Sequence, residues 1–148
     1  MRLSTKVRYG VRLMVDLAAN YGKGLILLKD IARRQGISRK YLWQVVDALK
    51  SANLVVSGRG VKGGYRLAKA PEKISIRQIA AVMGDSLIPV ACLEEAGSCR
   101  RSGKCAAQDV WCELGNKMNA FLDAISLQEM VLRQAKKQGS VTDSMYYI

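Results

Sequence analysis

A mainly α-helical chain with one small β-wing is what this sequence predicts, and three observations carry that expectation. Apolar residues recur at steps of three and four through the first fifty positions and again from about residue 106. Between them, "LVVSGRGVKGGYRLA" sets two β-prone runs on either side of a glycine-rich, basic loop. The charge is also lopsided: residues 1–70 hold 15 Lys and Arg against 3 Asp and Glu, while residues 71–148 hold 9 against 9, so the whole formal excess of +12 lies in the first half. A block of that kind suits a polyanion, most often nucleic acid, and a merely solubilising surface gives no reason for the second half to balance at zero.

At 148 residues the chain can bury one moderate core, or a small domain plus an extended element. The expected division is a DNA-binding domain over 1–83, a cysteine-containing loop over 84–105, a dimerisation helix region over 106–135 and a tail over 136–148. No apolar run approaches the roughly 18 residues of a membrane span, and "MRLSTKVRYG" lacks the apolar core of a secretory signal. The expectation is a soluble, cytoplasmic protein with no membrane partner.

The first helix is read from "TKVRYGVRLMVDLAAN", where Val7, Val11, Met14, Leu17 and Ala18 share one face and Ser4 or Thr5 caps the start. "YGKG" ends it, and "LILL" is a short apolar connector. Leu28, Ile31 and Ala32 form the inward face of a second, shorter helix, closed by Gly36, which can take the left-handed conformation a tight turn needs. Ser38 then caps a third helix, whose apolar stripe is Leu42, Val45, Val46 and Leu49. Two helices joined by a short glycine-containing turn, the second with a basic and polar outer face, read as helix-turn-helix. The hairpin that follows, with runs at 54–56 and 65–67 and Arg59 and Lys62 in its loop, makes this a winged helix. Its glycines let the backbone approach a phosphate or enter a groove, and Arg59 at the tip suits the electronegative minor groove.

"ISIRQIAAVMG" adds a short helix with Ile76, Ile79, Ala80 and Met83 inward, ending at Gly84. From about Ala106 the pattern is helical again through Val110, Leu114, Met118, Phe121, Leu122 and Ile125, and it resumes after Ser126 through Leu127, Met130 and Val131. A domain this small cannot cover such a helix on both sides, so the expected partner is a second copy, which would pair two winged helices for a pseudo-palindromic site.

All four cysteines fall within "CLEEAGSCRRSGKCAAQDVWC", in a chain without histidine. In a reducing compartment, clustered thiols bind metal or sense redox state more often than they form structural disulfides.

With its elements in this order, the sequence resembles the IscR/NsrR/CymR family of bacterial winged-helix transcription regulators. The likeness runs to about residue 135 and rests on "MRLSTKVRYGVRLMVDLA", on "ISRKYLWQVVDALKSANLVVSGRGVKGGYRLA" and on the spaced cysteines before "DVW". It implies a homodimer on double-stranded operator DNA, with the helix near 106–125 as the dimer seam. In many members three cysteines also hold an iron–sulfur cluster.

Carried over residue by residue, the DNA role falls on Ser38, Arg39, Lys40, Tyr41 and Gln44 of the recognition helix and on Arg59, Gly60 and Lys62 of the wing. Gln44 can pair with adenine, Arg39 and Lys40 can reach guanine or phosphate, and the Ser38 backbone amide can meet a phosphate. Trp43 departs from the polar residue expected there. It either reaches a base-edge methyl or a sugar, or covers a neighbouring helix.

Cys92, Cys99 and Cys105, spaced C-x6-C-x5-C in a loop with Gly97, Gly103, Arg100, Arg101 and Lys104, are the expected ligands of an iron–sulfur cluster, [2Fe–2S] ahead of [4Fe–4S]. Zinc sites favour closer cysteine pairs. The fourth ligand is open: the histidine that some members use three residues beyond the third cysteine is Gln108 here. The carboxylate that others take from the partner's first helix falls near Arg8, a cation that cannot ligate. Cys112, Asp109 or an exogenous group remain. Cys112 lies about 10 Å along the helix axis from Cys105, so packing as a free thiol in the dimer seam is the competing role for it.

Two other readings stand beside a cluster-controlled regulator. One is a metal-free regulator governed by thiol oxidation or by a protein partner, of the cysteine-metabolism type. The other is an electron-transfer protein or oxidoreductase. Against it stand the lack of a C-x-x-C pair, of a nucleotide-binding glycine fingerprint and of any histidine for acid–base work, and the chain is therefore not expected to be an enzyme.

Overall fold

The computed structural model describes residues 3–84, 87–95, 97 and 99–145, the side chains of 140–145 excepted. Its elements follow the order α1 (Thr5–Ala19), α2 (Leu28–Gln35), α3 (Arg39–Ser51), β1 (Val55–Gly58), β2 (Gly64–Leu67), α4 (Ile76–Val82), α5 (Ala106–Ala124) and α6 (Leu127–Met145), with single 3-10 turns at Pro71–Lys73 and Ala91–Leu93. The mainly helical winged-helix architecture expected from the sequence is the one observed. No helix among the described residues is long and apolar enough to cross a membrane.

Local chemistry sets the boundaries. Ser4 accepts a hydrogen bond from the Val7 amide at 3.2 Å and starts α1. Gly36, at φ 61°, closes α2 in the left-handed conformation, and the chain needs only Gly36 and Ile37 to turn before Ser38 caps α3 by accepting from the Tyr41 amide. Leu13, Met14, Leu17, Ile31, Leu42, Val45, Val46 and Leu49 meet in one core beneath this turn, together with Leu67, Ile74 and Ile79. The inward faces read from the sequence are these faces. Asp16 is the one buried charged side chain among the described residues, and it fixes α1 to the end of α2: Arg34 donates to both its oxygens, at 2.6 and 3.0 Å, and Gln35 Nε2 donates at 3.0 Å. The hydrogen bond to Asp16 raises the Arg34 guanidinium above its ordinary pKa.

The wing pairs antiparallel in the register Val55↔Leu67, Val56↔Arg66, Ser57↔Tyr65 and Gly58↔Gly64. It has a third partner that the sequence reading took for a connector. Ile26 exchanges both backbone hydrogen bonds with Tyr65 at 2.8 Å, so "LILL" is stitched to β2.

In the C-terminal third the helical pattern that pauses at Ser126 is two helices. Ile125 is extended and separates α5 from α6, because residues 125–127 pair with the strand-like segment ahead of α4: Ile76 donates to the Ile125 carbonyl at 3.0 Å and Leu127 to that of Ile74 at 2.9 Å. α6 then turns back onto α1, with Leu127 fully buried and Met130 and Val131 packed against the same core. It continues to Met145 through most of the expected tail; residues 146–148 lie outside the described residues.

Candidate functional site

Two features stand out on this frame: a cleft between α3 and the wing, and the cysteine loop with the helix that it opens. The cleft, about 630 Å³, is lined by Leu27, Leu28 and Lys29 at the start of α2, by Arg39, Lys40 and Trp43 of α3, and by Gly60, Gly63, Gly64 and Tyr65 of the wing. Ser38, Arg39, Lys40 and Gln44 are exposed on α3, as are Arg59, Gly60 and Lys62 on the wing. Of the expected residues, Arg39 and Lys40 from α3 and Gly60 from the wing line this one cleft, while Ser38, Gln44, Arg59 and Lys62 are exposed outside its lining. Among the described residues, Lys29, Arg39, Lys40, Arg59 and Lys62 take part in no ion pair; the pairs found engage Arg33, Arg34, Arg77, Lys117 and Arg133 instead. Lys29, Arg39 and Lys40 thus give the cleft a positive edge without paired carboxylates among the described residues.

Three positions need restating. Tyr41, expected on the exposed face, is half-buried, and its ring packs edge-on against Tyr9 at 5.5 Å and 88°, with Arg12 over the Tyr9 ring. It lies one turn before the buried Val45, which puts it on the shoulder of the inward stripe. Trp43, for which a packing role was as plausible as a DNA role, is 57% exposed and lines the cleft. Lys29 was not expected at all. The signal was its place near the start of α2, next to an N-cap that has no side-chain bond.

The wing owes its setting to close backbone approach. A Cβ on Gly64 (φ 148°) would stand 2.5 Å from the Ile26 carbonyl oxygen, and one on Gly58 would collide with Leu25. Val61, at the tip, is wholly exposed.

On the other side, α5 is held at its C-terminal end, where Ser75 Oγ donates to Asp123 at 2.8 Å and Arg77 bonds Asn119 at 3.2 Å. Gly115 is buried under Pro89. Val110, Trp111, Leu114 and Phe121 are exposed, Phe121 at 64%, and most of them follow the i, i+4, i+11 spacing of a single face.

The three loop cysteines are half-buried free thiols: Cys92 lies in the Ala91–Leu93 turn, Cys99 begins the next turn, and Cys105 stands at the N-cap of α5. Cys112 and Asp109 are exposed on α5. In kind, thiols with Arg100, Arg101 and Lys104 around them fit an iron–sulfur cluster. In arrangement they are not yet gathered, because among the described residues no three Cys, Asp or Glu side chains stand close enough to share a metal ion. Gln108 is tied to the loop itself: its Oε1 accepts from the Gly103 amide at 3.3 Å and its Nε2 donates to Ser102 Oγ at 3.4 Å.

Residues 3–133 match the family model described as Rrf2, iron-dependent transcriptional regulator. The HTH-type transcriptional regulator IscR of Aliivibrio salmonicida is 36% identical over 140 residues, which cover 95% of this chain and 83% of that protein. Two solved structures are similar along most of their length. CymR, the global cysteine regulator of B. subtilis, superposes with a TM-score of 0.77 at 32% identity, over 90% of this chain and 98% of the other. IscR of T. potens does so with a TM-score of 0.74 at 35% identity, over 93% and 90%.

Proposed function

Because the chain belongs to the Rrf2 family of transcriptional regulators and is similar to IscR, we propose that it is a homodimeric operator-binding regulator whose DNA affinity is set by an iron–sulfur cluster on Cys92, Cys99 and Cys105. The observation that supports the DNA half is the cleft with Lys29, Arg39 and Lys40 in its lining and the exposed Arg59 and Lys62 on the adjoining wing, none of which has an ion-pair partner among the described residues. Neutralising phosphates with such cations releases counterions, and this drives association. Arg59→Ala is therefore expected to weaken binding of any duplex and to lower the slope of log affinity against log salt by roughly 2 in a dimer, one phosphate per subunit. Fluorescence anisotropy across a salt series measures this, and an unchanged affinity counts against the wing contact.

The sensing half rests on three free thiols in one short loop that leads directly into α5. When bound, the cluster would supply a centre whose charge and integrity respond to oxidants. The loop's part is to close so that its cysteines come together, in a segment where Gln108 is bonded to Ser102 and Gly103. The fourth donor is Cys112, Asp109 or an exogenous group, since Gln108 is engaged with the loop.

A second reading is supported by the likeness to CymR and by the separation of the thiols: a regulator without metal, controlled by thiol oxidation or by a protein partner. Purification without oxygen separates the two. Visible absorption that is lost in Cys92→Ser and retained in Cys112→Ser is the result expected for a loop cluster with Asp109 or an exogenous fourth donor; loss in both makes Cys112 a ligand. No visible absorption in the anaerobic wild type favours the thiol reading.

A further inference from the structure

Resting on the operator-binding reading above, we infer that Trp43 recognises a thymine by its C5-methyl group and is a specificity-determining residue of this chain. The starting point is an exposure that packing does not explain. Leu42, Val45, Val46 and Leu49 of the same helix are at most 1% exposed, and the largest side chain of α3 is left 57% exposed in the cleft. It lies one turn beyond Arg39 and Lys40, on the same wall and facing the wing.

The chemistry of an indole narrows what it can read there. Indole carries one donor and no acceptor, so it cannot satisfy the amino groups that cytosine and adenine present in the major groove. Thymine presents no amino donor on that edge. It offers a methyl group for the apolar ring face and an O4 acceptor for the Nε1 proton. The neighbours divide the remaining edges: Arg39 and Lys40 suit guanine or phosphate and Gln44 suits adenine, so methyl recognition is the function that α3 otherwise lacks. An apolar protein surface is a poorer occupant of this cleft, because its uncompensated cations would be buried without counter-charges.

The test uses the full-length homodimer. A half-site is first enriched from a random duplex pool; each of its thymines is then replaced in turn by deoxyuridine, which deletes only the methyl group. Wild type and Trp43→Ala are compared by competition, at a salt concentration where both bind. At one thymine per half-site, wild type is expected to lose about fourfold in affinity, which is ~0.8 kcal/mol for one buried methyl group. The loss should vanish in Trp43→Ala, and at that position 5-methylcytosine should bind better than cytosine in wild type alone. An enriched site whose thymine methyls are all neutral, or a methyl penalty that persists in Trp43→Ala, overturns this inference and leaves the operator reading standing. If no duplex is enriched, the operator reading falls and this inference falls with it.

Discussion

A double substitution, Trp111→Glu with Phe121→Glu, is expected to give a folded monomer whose operator affinity is at least about 100-fold below that of the wild type. Both side chains are exposed on α5, so the change leaves the buried core untouched, and the helical circular dichroism should be retained. Two carboxylates in an apolar seam are costly to desolvate, and Lys117, on the same face as Val110, Leu114 and Phe121, is already paired with Glu113 at 2.8 Å. The loss on DNA follows from linkage of half-sites: once one winged helix of a dimer is bound, the second binds at an effective concentration that adds a factor of roughly 10² to 10⁴. Analytical ultracentrifugation gives the oligomeric state and anisotropy on a palindromic site gives the affinity. A variant that still sediments as a dimer shows that α5 is not the seam.

The second large effect concerns Gly64. Gly64→Ala is expected to destabilise the protein by about 2–4 kcal/mol, since the added Cβ meets the Ile26 carbonyl and the backbone angle is one that alanine adopts only under strain. For a chain of this size that lowers the melting temperature by roughly 5–15 °C. The clash is with backbone, which a side-chain rearrangement cannot relieve. Gly60→Ala has a positive φ but no neighbour within 4 Å, so it carries the conformational part of the penalty alone. The difference in melting temperature between the two variants isolates the contact with Ile26, and equal temperatures would mean that the stitch adds little.

What was readable in the sequence is what local chemistry decides. Ser38 as cap, Gly36 as turn and the stripe Leu42, Val45, Val46, Leu49 all depend on neighbours within one or two helical turns, so their positions follow from spacing alone. The pairing of Ile26 with Tyr65 spans thirty-nine residues, and "LILL" shows no alternation to announce a strand. The pause at Ser126 was visible, but the different surroundings of α5 and α6 were not. Apolar steps of the same kind stand on both sides of Ser126, although Val110 and Phe121 face outward while Leu127 is in the core. Periodicity marks an apolar face and says nothing of which surface will cover it. Within the cleft, the residue types were legible from charge and helix position. The lean of Tyr41 follows from its place one turn before Val45, but its contact with Tyr9 and the stance of Trp43 in the cleft depend on α1 and the wing, which no window of α3 contains.

The stitch at residues 125–127 has a mechanical consequence. α5 is pinned to the DNA-binding core at one end by backbone hydrogen bonds, and its other end starts at Cys105. With 19 residues it is a lever of roughly 28 Å. A tilt of 5° about the pinned end would carry the cysteine end through about 2.5 Å. Two such levers laid against each other would set the distance between two clefts.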